Sequence, residues 1–128
     1  MENLKSNLKK IGNPDILLYA FKGRLVYLNC RSHVARFEQK ERFKKYKTII
    51  LRLRGCPAID LDGIDSLDEI VDIVEGRGQK IILSSIDPAI KNFLRTISRN
   101  YSRLEEAGMV FEKTSLALKY LGIPPDKL

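Results

Sequence analysis

Residues 48–85 read TIILRLRGCPAIDLDGIDSLDEIVDIVEGRGQKIILSS. The run Thr48 to Leu53 is β-branched and apolar and is flanked by charge, the composition of a strand. Ile64, Leu67, Val71 and Val74 then recur at helical spacing, and Ile70 and Ile73 widen the stripe, so the next segment is a helix that buries one broad face. Gly76 and Gly78 end it, and QKIILSS is a second short strand. Strand, helix and strand in this order form a right-handed crossover between parallel strands, which sets the class as α/β.

The flanking sequence extends the same alternation. Upstream, ILLYAF and RLVYL are two β-rich runs separated by Lys22 and Gly23, which reads as a tight antiparallel hairpin. Asn29 to Ser32 can cap a helix carrying Val34, Phe37 and Phe43 on its apolar side. Downstream, SIDPAIKNFLRTI opens a helix with Pro88 in its first turn, MVF is a last strand, and EKTSLALKYLG is a last helix. The expected order is ββαβαβαβα: a mostly parallel sheet of about five strands with an N-terminal antiparallel hairpin and helices packed on it. Residues 1–12 read as a flexible basic lead-in, 13–122 as the domain and 123–128 as a tail.

The 128 residues suit one compact domain. Cys30 and Cys56 are the two cysteines, and neither has a partner at zinc or redox spacing, so reduced thiols are expected. No apolar run approaches a membrane span, and the N-terminus lacks the apolar core of a signal peptide. The net charge is +7, which permits an anionic partner. The excess sits at Lys5, Lys9 and Lys10 and in QKERFKKYK, without the aromatic platform or motif of a nucleic-acid binder, so no nucleic acid is expected.

The acidic turn between strand and helix invites a chemical reading. Asp60, Asp62 and Asp65 surround Gly63, but the glycine comes too early for a calcium loop and the closing position is already helix, so no metal is expected. A helix start has unpaired N–H donors and partial positive charge, and Asp62 as N-cap with Asp65 three residues on meets both needs. Such a cap contributes about 1 kcal/mol. Ser66 with Glu69 offers a second capping spacing. The one histidine, His33, has no activated serine or thiol near it in sequence and is expected exposed or half-packed on its helix. No catalytic residue or cofactor is expected. Ser84, Ser85 and Asp87 lie at the same carboxyl edge of the sheet as the acidic turn, where ligands of open α/β sheets bind. Asp60 and Asp62 oppose a free anion, which favours a protein contact over a weak nucleotide or anion contact there.

The chain resembles a STAS domain, the module shared by anti-sigma-factor antagonists and the cytoplasmic C-termini of SulP-type anion transporters. Ile59-Asp60-Leu61-Asp62-Gly63-Ile64 after a strand is similar to the family's Asp-Ser-Ser/Thr-Gly-Leu. Phe21-Lys22-Gly23-Arg24-Leu25-Val26-Tyr27-Leu28-Asn29 is similar to the transporter branch's Gly-x-Leu-x-Phe-x-Asn. Gly78 to Leu83, Asp87-Pro88 and Leu116-Ala117-Leu118 match in order.

The resemblance implies a non-catalytic regulatory domain whose partner contacts involve Asp60, Asp62, Gly63, Ile64, Ser84 and Ser85. Asp62 stands at the position of the serine or threonine that a partner kinase phosphorylates in the antagonists. A carboxylate takes no stable phosphate ester and carries about −1 against −1.5 to −2, so the resemblance implies the transporter branch: a cytoplasmic domain at the inner face of the membrane. Its partner is then the membrane part of the same transporter or another regulatory protein, and Lys5, Lys9 and Lys10 face an anionic leaflet. The alternatives are a freestanding antagonist that binds an anti-sigma kinase, and a small nucleotide- or anion-binding protein.

Overall fold

The computed structural model describes residues 7–9 and 11–124. In chain order the elements are β1 (Leu8–Lys9), β2 (Ile16–Lys22), α1 (Cys30–Glu38), α2 (Lys40–Phe43), β3 (Thr48–Gly55), α3 (Leu61–Gly76), β4 (Lys80–Ser84), α4 (Pro88–Ile97), α5 (Tyr101–Glu106), β5 (Val110–Phe111) and α6 (Thr114–Tyr120). The sheet order is β1-β2-β3-β4-β5. The β1 pairing is antiparallel and all the others are parallel. The fold is therefore α/β with the antiparallel pair at its start.

Because the parallel strands lie side by side in chain order, right-handed crossovers carry every connecting helix to one face of the sheet. That face holds the larger core, in which Tyr19, Phe21, Ile49, Leu51 and Leu53 meet Val34 and Phe37 of α1, Ile64, Leu67 and Val71 of α3, Ile90 and Leu94 of α4, and Leu104 of α5. The opposite face is covered by α6, whose Ala117 and Leu118 pack on Ile16, Leu18, Ile50 and Ile82. Alternate residues of one strand thus serve two separate cores, as the period of two requires.

Three expectations are corrected. RLVYL is not the second hairpin strand. Leu25 makes one isolated bridge to Ile59, and the Asn29 side chain accepts from Val26 N at 3.0 Å and donates to the Arg24 carbonyl at 2.7 Å. Asn29 thereby closes a turn that takes the donors a strand would need. The antiparallel partner of β2 is β1, with Leu8 opposite Tyr19 and Lys9 opposite Leu18. Consequently residues 7–9, 11 and 12 are not a lead-in: Asn7 and Ile11 are buried, and Asn7 Nδ2 donates to the Ala20 carbonyl at 2.8 Å. Lys5 and Lys10, like most of the expected tail, lie outside the described residues, while Ile123 is buried in the α6 core.

His33 is the third correction. It is buried, with Nδ1 2.6 Å from the Tyr19 hydroxyl, and Arg36 donates to that hydroxyl and to Asn7 Oδ1, both at 2.9 Å. The Tyr19 and Phe21 rings that α1 must cover enclose the imidazole edge-on, at 5.8 and 5.0 Å between centroids.

Candidate functional site: the acidic turn

The carboxyl ends of β2 and β3 are zipped together by the loops that follow them. Leu25 N donates to the Ala58 carbonyl at 3.0 Å, and Asp60 N donates back to the Leu25 carbonyl at 3.3 Å. Asp60 then makes the junction with both carboxylate oxygens. Oδ1 accepts from Gly63 N at 2.8 Å and Oδ2 accepts from Tyr27 N at 3.0 Å. Asp60, extended at φ −107° and ψ −177°, is therefore the N-cap of α3. This corrects the expectation that Asp62 caps: the helix starts two residues earlier, and Asp62 lies exposed in its first turn, where a negative charge is still favourable. The alternative cap at Ser66 and Glu69 is inside the helix; Ser66 is buried and Glu69 takes a forked bond from Arg31 at 3.0 and 3.2 Å.

The two N–H donors, Tyr27 first and Gly63 second, hold the Asp60 carboxyl below the usual carboxylate range. A carboxyl whose folded-state pKa is depressed adds stability above its unfolded pKa, near 3.9, and loses it as pH falls through the folded value. Asp60→Asn should therefore lower stability in urea at pH 7, and the gap from the parent should shrink by pH 3. A gap that stays constant would assign the effect to packing.

The glycine beside the cap is required by proximity. A Cβ on Gly63 would lie 2.0 Å from the Leu25 carbonyl oxygen and 2.8 Å from Ile59 Cγ1. Gly63 and Ile64 are both buried, so of the expected contact residues at this turn Asp62 is the exposed one and Asp60 is half-exposed. The turn also presents large apolar side chains that sequence reasoning missed: Tyr27 is 69% exposed, Leu28 89% and Leu61 57%. Tyr27 and Leu61 flank Asp60 because the Asp60 bonds join their two chain segments.

Ser84 and Ser85 turn elsewhere. Ser84 is fully buried, with its hydroxyl 2.9 Å from Thr114 Oγ1, and Ser85 Oγ lies 3.0 Å from the same oxygen and accepts from Thr114 N at 3.1 Å. Ser84 is thus an anchor for the start of α6 rather than a contact residue. Its side chain points to the α6 face, as alternation from Ile82 dictates. Among the described residues, no group of three or more His, Cys, Asp or Glu side chains is placed to hold a metal ion, and no helix is long and apolar enough to cross a membrane.

The strand, the capped acidic turn and the close glycine lie within a match to the STAS domain family model over residues 7–100. The chain belongs to the STAS domain family. A sulfate transporter family protein from Wolinella succinogenes is similar over 87% of this chain and 88% of its own, at 24% identity and a TM-score of 0.71. The SulP transporter STAS domain from Vibrio cholerae covers 86% of each chain at 20% identity and a TM-score of 0.68. The unphosphorylated anti-sigma factor antagonist SpoIIAA covers 71% of this STAS domain and 82% of its own chain, at 14% identity and a TM-score of 0.55. At these identities the likeness is one of fold. Comparison with curated protein sequences finds no match.

Proposed function

We propose that this STAS domain is the non-catalytic regulatory and interaction domain of a SulP-type transporter of sulfate or a related anion. It acts through protein contacts around the turn from Asp60 to Ile64. The observation that carries this reading is the patch of Tyr27, Leu28 and Leu61, exposed side chains whose segments are fixed in place by the Asp60 bonds. Exposed apolar side chains gathered at one place, with a polar rim supplied by Asp62, are what a protein partner buries. The likeness to two proteins described as transporter-family or SulP domains supports the transporter setting, and so does a carboxylate where the antagonists carry their phosphorylated hydroxyl. In that setting the domain lies on the cytoplasmic side of the membrane, and its partner is the transporter's own membrane part or a regulatory protein.

The test is anion uptake by the parent transporter with the domain intact, removed, or carrying Leu28→Ser with Leu61→Ser. Uptake should fall in both altered forms while transporter abundance is monitored by immunoblot. Unchanged uptake and abundance in both would end the proposal. The likeness to SpoIIAA favours one second reading, a freestanding antagonist. It requires binding to an ATP-using anti-sigma kinase, and a fused membrane segment in the same reading frame would remove it.

A further inference from the structure

The apolar patch at the acidic turn lies beside charge of the opposite sign to that of the chain. Along its solvent side α3 carries a ladder of carboxylates, Asp62, Asp65, Glu69, Asp72 and Glu75. Three of them are occupied: Glu69 takes the fork of Arg31, Asp72 that of Arg99 and Glu75 that of Arg103. Among the described residues, Asp62 and Asp65 form no ion pair, and both are exposed. Asp62 follows Leu61 in the chain, and Asp65 stands one turn from Leu61 on the same side of the helix.

Capping does not account for both acids. Asp60 already supplies the N-cap, and a helix start favours negative charge only within its first turn. That covers Asp62 but not Asp65, the fifth residue of α3. Across residues 24–29 and 58–65, the two segments that the Asp60 bonds join, Arg24 is the one cation. Against it stand Asp60, Asp62 and Asp65. The corner is therefore acidic on a chain whose net charge is +7, and its exposed apolar side chains are Tyr27, Leu28 and Leu61.

We infer that this corner docks a basic, apolar segment of a protein, one in which aliphatic side chains are flanked by two or more Lys or Arg residues. Tyr27, Leu28 and Leu61 supply the apolar centre of the contact, and Asp62 with Asp65 take the partner's cations at its rim. An anionic bilayer would accept the same apolar side chains, but the two carboxylates repel it. The inference rests on the interaction role proposed above and gives the partner a chemistry. Cytoplasmic loops of membrane proteins carry an excess of Lys and Arg, so such a loop in the transporter's membrane part meets the requirement.

The test is titration of the full ¹⁵N-labelled chain with a helical peptide of leucine and lysine, with peptides carrying glutamate or glutamine in place of the lysine, and with phosphatidylcholine vesicles containing phosphatidylserine. The lysine peptide should shift the amides of Tyr27, Leu28, Leu61, Asp62 and Asp65 saturably and bind most tightly of the three. Asp62→Asn with Asp65→Asn should raise its Kd roughly fivefold at low salt, and added salt should remove that difference. Leu28→Ser with Leu61→Ser should raise it about tenfold. No saturable shift at these amides, equal binding of the glutamate peptide, an unchanged Kd in the asparagine variant, or stronger shifts from the vesicles overturns the inference. Anion uptake by the parent transporter separates this outcome from the broader role. Uptake lost with the serine pair but kept with the asparagine pair refutes the basic partner alone, whereas peptide binding as expected with uptake unchanged in both refutes the transporter role alone.

Discussion

Gly63→Ala should destabilise the domain by about 3 kcal/mol, although alanine in an unobstructed helix stabilises by up to about 1 kcal/mol over glycine. The clash decides the sign. The new methyl would sit 2.0 Å from the Leu25 oxygen, well inside van der Waals contact, and the obstacle is backbone that cannot rotate aside. Relief requires the start of α3 to move away from the loop after β2. That movement breaks the bond from Asp60 N to Leu25 and pulls Tyr27 N from the Asp60 carboxylate. Gly76 lies at the end of the same helix, where an added methyl would meet nothing within 4 Å, and is the internal control. Urea denaturation should show Gly63→Ala falling and Gly76→Ala unchanged or rising. Equal effects at the two sites would refute the role of close approach.

Asp68→Ala should cost about 3 kcal/mol and lower the melting temperature by roughly 10 °C for a domain of this size. Asp68 is 4% exposed in the middle of α3, yet it serves another element. Its carboxylate accepts from Ser98 Oγ at 2.6 Å and from the backbone N–H groups of Arg99 and Asn100 at 3.2 Å each. These donors start α5, whose own N-cap residue Asn100 makes no side-chain cap bond. Removing the carboxylate leaves them buried without an acceptor, which costs more than the bonds contributed net. The exposed pairs nearby, Arg99 with Asp72 and Arg103 with Glu75, lie at the surface and cannot compensate. Hydrogen exchange should speed up at residues 98–104 in the variant while β3 stays protected. A uniform loss across the sheet would point to global unfolding instead.

What is legible in the chain follows the reach of each signal. β3, α3 and β4 carry runs long enough for periodicity to decide their type, and the turn between α3 and β4 is marked by glycine. RLVYL misleads because a five-residue apolar run cannot outweigh the Asn29 turn that closes over it. The six-residue α5 has no local signature because its start is fixed by Asp68, 30 residues before Ser98. Asp60 and Asp62 look alike as caps, and the positions of Gly63 N and Tyr27 N select Asp60. Tyr27, Leu28 and Leu61 are apolar letters whose exposure no local pattern announces.

The chain-order sheet has a consequence for how the molecule is made. Each new strand docks beside the one just laid down, so a chain emerging from the ribosome can complete its large core one unit at a time without waiting for distant partners. The other side has no such provision. Until Thr114 to Tyr120 arrives, the aliphatic row of Leu18, Ile50 and Ile82 stands open across three strands, a contiguous apolar surface of the kind that seeks another molecule. The last helix is therefore the seal of the nascent protein, and the interval before it closes is when self-association or a chaperone competes for the chain.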